Sequence, residues 1–387
     1  MIPRIPFNKP YIAGKELDYI GQAVGEGKIA ADGHFTKLCA RLLETELNVA
    51  KVLLTPSCTA ALEIAAILCD LQAGDEVILP SYTFVSTANA VVRLGARPVF
   101  VDIRPDTLNI DEALIEAAIT GRTKAIIPVH YAGVSCYMDR IMEIAARHAP
   151  VVVEDAAQGV YARYRGRPLG SIGHLAAYSF HETKNYVCGE GGALCVNARE
   201  HVERAEIIRE KGTNRSRFLR GMVDKYTWVD VGSSYVPSEI ACAFLYAQLE
   251  LLEPIARRRR AIYDFYREHL APLAQSGFLR LPTIPDHCAS NYHMFYVLLS
   301  DIETRDAMIS HLRDHGIQAV FHYVPLHTSP VGSTFGYRGG DLPVTEDSSA
   351  RLVRLPFYHG ISEREQMEVV SRIKEFAAKM PGRRAAA

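Results

Sequence analysis

The sequence predicts an α/β protein: a mostly parallel sheet domain followed by a second, smaller α/β unit. Three observations carry that prediction. Short β-branched runs alternate with helix-length segments over the first 200 residues, as strand–crossover–strand units require. After about residue 200 the pattern changes to longer helical stretches with sparser strands. Polar motifs sit just after the apolar runs, and in open α/β sheets ligands bind at the carboxyl ends of the strands.

The strand-like runs cover residues 51–54, 76–79, 98–102, 125–129, 151–154, 176–180 and 193–196. Helix-like segments lie between them, at 60–69, 111–118 and 138–148. Residues 201–210 read as a helix ending at Gly212, and 213–221 as a polar loop. A long helical stretch runs from about residue 237 to beyond 260. Past Pro282 and Pro285 the order is a strand at 294–299, a helix at 304–315, a strand at 319–323 and a last helix at 363–379. The division falls near residue 255, giving a large domain at 1–255 and a small one at 256–387, within the two to three domains expected for 387 residues. The tail from Arg383 to Ala387 reads as disordered.

Composition narrows the function classes. With 48% hydrophobic and 22% charged residues the chain is globular rather than disordered. A net charge of -1 gives no global electrostatic reason to expect nucleic-acid binding. The one dense basic run, Arg257 to Arg260, reads as the wet face of a helix beside Ile255, Ile262 and Tyr263. Eight cysteines form no CxxC pair and no zinc-like cluster, and Cys69, Cys195 and Cys242 sit in apolar surroundings. Reduced thiols and a cytoplasmic location are expected. The start, MIPRIPFNKP, lacks the apolar core of a signal peptide. The uncharged stretch 316–337 is broken by Gln318, His322, Pro325, His327 and Pro330, so no membrane helix is expected there.

Three motifs carry chemistry. Thr55-Pro-Ser-Cys-Thr-Ala60 is small, hydroxylated and opens a helix, where free backbone N–H groups suit a phosphate; by itself the motif reads first as an ordinary helix cap. Val151-Val-Val-Glu-Asp-Ala-Ala-Gln158 ends an apolar strand at Asp155. A carboxylate buried there needs a cation, which a protonated pyridine nitrogen would supply; a salt-bridged or helix-capping aspartate is the competing reading. Ala177-Tyr-Ser-Phe-His-Glu-Thr-Lys184 precedes Gly189-Glu-Gly-Gly192, so a lysine faces a glycine-rich loop. A lysine of lowered pKa is the nucleophile an aldehyde cofactor needs, whereas most lysines are simply solvated.

Taken together, SFHETKN with GEGG, PSYTFVSTANA (residues 80–90) and VVVEDAAQ resemble the DegT/DnrJ/EryC1/StrS sugar aminotransferases over residues 5–376. The resemblance implies the aspartate-aminotransferase (type I) fold and pyridoxal 5′-phosphate as cofactor. By position, Lys184 matches the Schiff-base lysine and proton shuttle, and Asp155 the partner of the pyridinium nitrogen. Gln158 matches the residue near the phenolic oxygen and Phe84 the one stacked on the ring. Cys58, Thr59 and Ser179 match the phosphate cup. Many members carry an asparagine from the neighbouring subunit in a Gly-Tyr-Asn-Tyr-Arg-like segment; here Gly232-Ser-Ser-Tyr-Val236 places Ser234 at that position and Val236 at the arginine. Some relatives replace the lysine by histidine and dehydrate their substrate; Lys184 favours transamination and leaves His181 a packing role or a supporting one behind the reacting residues.

Within the family, VLLTPSCTA, HETKNY, IREKGTNRS, DKYTW, GSSY and AVFHYVPLH most resemble the dTDP-4-keto-6-deoxy-D-glucose transaminases of enterobacterial common antigen synthesis. That implies L-glutamate as donor and dTDP-4-amino-4,6-dideoxy-D-galactose as product. Lys211 and Arg215 have the charge for a diphosphate, and a plain exposed loop is the competing reading. The family places His322, Tyr323 and His327 near the sugar; their spacing gives no helical ligand pair, and no metal is expected. The family's homodimers, with the active site at the interface, imply a dimer or a dimer of dimers.

Overall fold

The computed structural model describes residues 3–380, so the tail expected to be disordered lies outside the described residues. Seven strands build the main sheet: β1 (Lys51–Thr55), β2 (Glu76–Pro80), β3 (Arg97–Val101), β4 (Thr123–Ile126), β5 (Val151–Asp155), β8 (Leu175–Ser179) and β9 (Gly192–Val196). Between β5 and β8 the short strands β6 (Arg163–Tyr164) and β7 (Arg167–Pro168) form a hairpin. The sheet order is β1-β9-β8-β5-β4-β2-β3, parallel except for β9, which runs antiparallel to both neighbours. The fold is thus the α/β class expected.

Helices cover both faces. They are α1 (Glu16–Gly25), α2 (His34–Leu47), α3 (Cys58–Leu68), α4 (Val85–Val92), α5 (Glu112–Ile115), α6 (Met138–His148), α7 (Val202–Arg209), α8 (Arg215–Leu219) and α9 (Glu239–Leu249). Side chains on a strand alternate between faces. Val77 and Leu79 therefore join α3 and α4 in one apolar cluster, while Ile78 between them meets α6 on the other side. Val52, Leu54, Ala176 and Tyr178 pack against α2 and α9.

A further apolar cluster gathers Ile5 with residues of α10 (Leu252–Gln275), α11 (Ile302–Asp314) and α13 (Glu363–Ala378) around Val297 and Val353. Those two belong to the antiparallel pair β11 (Tyr296–Leu298) and β12 (Leu352–Arg354), the latter preceded by α12 (Pro343–Arg351). Strand β10 (Cys288–Ala289) pairs instead with β6.

Five expectations need correction. Residues 319–323 are not a strand; a single bridge joins Val320 to Arg354, and the strand in that place is β12, whose three residues are too short to show alternation. The long helix from residue 237 is two helices, because Leu251 leaves helical geometry at φ -114°, ψ 28°. The polar loop at 213–221 contains α8. The segment 111–118 is α5 followed by one 3₁₀ turn. The basic run is not a uniformly wet face: Arg257 and Arg260 pair with Glu253 and Asp264 near solvent, but Arg259 is buried and donates to the carbonyls of Tyr292 and His293.

Candidate active site

The carboxyl ends of β5 and β8, the amino ends of α3 and α4, and a segment at 322–323 enclose a cavity of about 500 Å³. Lys184, Asp155, Gln158, Phe84, Ser179, Cys58, Thr59, His322 and Tyr323 all line it. Chain crossovers bring them together from positions up to 265 residues apart in sequence, as expected where strands of a parallel sheet end.

Asp155 ends β5 and is only 4% exposed. Its carboxylate accepts hydrogen bonds from Thr87 Oγ1 (2.7 Å) and the Ala157 amide (3.1 Å), and Thr87 in turn pairs with Thr83 (2.8 Å). These donors are neutral, and Asp155 has no ion pair among the described residues. A buried carboxylate so placed fits a cationic ring nitrogen.

Lys184 follows β8 in a tight loop, its amide bonded to the His181 carbonyl (2.9 Å). Burial lowers its pKa below the usual lysine value; the nearby charge of Arg354 adds to this, while Cys58 and Asp155 oppose it. The shift favours the neutral amine, the form that attacks a carbonyl.

Gln158 accepts from the Ala132 amide (2.7 Å) and donates to the Tyr323 hydroxyl (3.2 Å), which fixes both side chains at the cavity wall. Phe84, at the start of α4, is 58% exposed, an apolar face open for a planar ring to cover. At the amino end of α3, Ser57 Oγ caps the Ala60 amide (3.1 Å), and Thr59 shares a hydrogen bond with Ser86 (2.8 Å). Unpaired amides of a helix start, beside these hydroxyls, form an anion site. The lysine, the buried carboxylate, the open aromatic face and the anion site together fit pyridoxal phosphate. Cys58 lines the same wall, and burial pushes its thiol well above the usual range, the opposite of what an activated cysteine needs.

Four expected residues lie elsewhere. His327 does not line the cavity; it is fully buried and clamped between Ser81 Oγ (2.7 Å) and Glu346 Oε1 (3.0 Å). Lys211 and Arg215 lie on the surface and pair with Glu210 at 3.7 and 3.4 Å. Ser234 is exposed, bridged to Glu210, and outside the cavity formed by this chain. Their neighbours in sequence carried the motif signal, and only the fold separates wall from surface.

Other lining residues were not singled out. Thr83, Ser86 and Thr87 lie inside the PSYTFVSTANA run, where the i, i+4 spacing of Thr83 and Thr87 was a readable signal. His293, bonded to Asn185 Oδ1 (2.9 Å), and Arg354 stand in no motif.

Known proteins resemble this chain in sequence and in fold. The profile of the DegT/DnrJ/EryC1/StrS aminotransferase family matches residues 10–374. The spore coat polysaccharide biosynthesis protein SpsC of Bacillus subtilis is 32% identical over 382 residues, 96% of each chain. DesV of S. venezuelae has a TM-score of 0.88 at 31% identity, covering 97% of this chain and 99% of its own. Spr1654 of Streptococcus pneumoniae, assigned as a sugar aminotransferase, has a TM-score of 0.90 at 26% identity in its PLP form, covering 97% of this chain and 99% of its own. Its PMP form gives the same TM-score.

Proposed function

Because the chain belongs to the DegT/DnrJ/EryC1/StrS aminotransferase family, with pyridoxal 5′-phosphate as cofactor, we propose that it aminates dTDP-4-keto-6-deoxy-D-glucose. L-glutamate donates the amine, and the products are dTDP-4-amino-4,6-dideoxy-D-galactose and 2-oxoglutarate. The observation that carries the transamination reading is a lysine of lowered pKa and a buried carboxylate facing one cavity. The choice of sugar is supported by the sequence stretches around Lys184, Lys211 and His322. A role in polysaccharide synthesis is supported by the likeness to SpsC.

When bound, the cofactor supplies an electron sink next to the reacting carbon. Asp155 holds the proton on the ring nitrogen, and Thr87 and the Ala157 amide hold Asp155. Lys184 Nζ would take the proton from the α carbon of the donor and return it to the carbon on the far side of the amine nitrogen, a 1,3 shift; with the sugar it would work in reverse. Gln158 and Tyr323 would border the phenolic edge, Phe84 would cover one ring face, and the start of α3 would take the phosphate. We assign Ser234 to a partner subunit's cavity in a homodimer or dimer of dimers, which accounts for its exposure here.

The test is the visible absorption of the purified protein. A band lost on adding L-glutamate and restored by the dTDP-4-keto-6-deoxy sugar supports the whole reading. A band indifferent to glutamate moves the assignment to a dehydratase or another donor. A restored band with a different nucleotide keto-sugar alone revises the acceptor.

A further inference from the structure

Arg354 ends β12 and reaches the same cavity as Lys184 from the cluster of residues that follows α10. Its Nε is sealed from solvent and has no hydrogen-bond partner among the described residues. No salt bridge to it occurs among them either. Its neighbours are aromatic: the guanidinium lies 4.6 Å from the Phe7 ring centroid, and the hydroxyls of Tyr131, Tyr323 and Tyr82 feel its charge. A half-buried guanidinium walled by aromatic rings and without a counter-ion is costly, so its place in a ligand cavity calls for an anion.

Two anions of the reaction are already accounted for or too distant. The cofactor phosphate has the start of α3, with Thr59 and Ser86, on the wall built by the sheet domain. The diphosphate of a 4-keto hexose lies across the sugar ring from the reacting carbon. The α-carboxylate of an amino acid, by contrast, is one bond from the carbon whose proton Lys184 must take. It therefore has to lie beside Lys184, and Arg354 is close enough to that amine to perturb it.

We propose that Arg354 binds the α-carboxylate of the amino donor, its planar fork taking both oxygens and aiming the α-hydrogen at Lys184. The inference rests on the glutamate reading above. Tyr131, bonded to His322 Nδ1 at 2.9 Å, and Tyr323, bonded to Gln158, already have hydrogen-bond partners and flank Arg354 with neutral groups, so its guanidinium stays available to the incoming carboxylate.

The experiment compares wild type, Arg354→Met and Arg354→Lys as cofactor-loaded proteins. Stopped-flow absorption follows the reaction with L-glutamate and, from the aminated form, the reaction with the keto-sugar. Calorimetry measures binding of glutarate and of dTDP. In Arg354→Met the glutamate step falls on the order of 100-fold or more, with a far smaller fall in the sugar step; Arg354→Lys recovers part of the loss. Glutarate binding weakens in parallel and dTDP binding does not. Equal loss in both steps, or weakened dTDP binding, overturns the proposal in favour of a diphosphate contact. A wild type that ignores glutamate overturns the donor reading; a wild type that responds beside an Arg354→Met that responds equally overturns the role of Arg354 alone. A melting temperature within a few degrees of wild type separates these effects from misfolding.

Discussion

Glu154 and Asp155 are adjacent carboxylates on β5, and strand alternation sends them to opposite faces. Asp155 points to the cavity. Glu154 is fully buried and accepts from His130 Nε2 (2.9 Å) and the amides of Gly170, Ile172 and Gly173 (2.9, 2.7 and 2.6 Å). Burial alone would raise its pKa, but His130 and those amides hold it below the usual carboxylate range. Its stabilising contribution is therefore present above the ordinary glutamate pKa and lost as pH falls through its folded value. Glu154→Gln should cost about 3 kcal/mol in urea unfolding at neutral pH, with a smaller difference in acid. Asp155→Asn should instead leave stability near wild type and cofactor bound, while turnover drops roughly 100-fold or more because the ring loses its proton. Lys184→Ala should lose at least about 1,000-fold in steady-state turnover. A fully active Lys184→Ala protein would remove the residue from its role. Thr87→Val, which frees one Asp155 lone pair, should cost on the order of 1 kcal/mol in kcat/KM.

At the scale of elements, the phosphate wall depends on how closely β9 approaches α3. Gly192 opens β9, and a Cβ there would lie 2.4 Å from the Ser57 carbonyl carbon and 2.5 Å from the Cys58 amide nitrogen. Both are backbone atoms that cannot rotate away, so Gly192→Ala must displace the helix start. The expected result is a cofactor dissociation constant raised at least about tenfold, read by equilibrium dialysis, through misplaced amide donors. Unchanged affinity would mean that the helix start does not hold the phosphate. The last glycine of the GEGG run thus has a packing cause as well as a motif match.

On the scale of the whole molecule, residues 218–231 expose Leu219, Met222, Tyr226, Trp228, Val229 and Val231, with Trp228 78% exposed. This patch leads directly to Ser234, outside the cavity of its own chain. Exposed apolar residues grouped this closely in the chain suit an interface. We propose that it faces a second copy, and sedimentation should give at least twice the 42.9 kDa chain mass. Trp228→Glu should shift the protein toward monomer and lower turnover together; a monomeric and fully active variant would separate the patch from the site. All eight cysteines are free, and no helix among the described residues is long and apolar enough to cross a membrane.

What the sequence by itself determined is local. The β-branched runs of the main sheet, the capping Ser57 and the lysine before GEGG each signal through neighbours a few residues away, so their patterns survive without the fold. Residues 201–210 and 363–379 were legible as helices for the same reason. The tertiary structure alone decided which of the polar residues meet. His327 and His322 stand five residues apart, yet one is clamped by Ser81 and Glu346 and the other lines the cavity. Arg354 sits in a three-residue strand, too short for any periodic signal, and Arg259 lies buried inside a run that composition marks as wet. In each case the deciding contacts are distant in sequence. Burial and pairing are set by what packs opposite a side chain, and no local pattern encodes that.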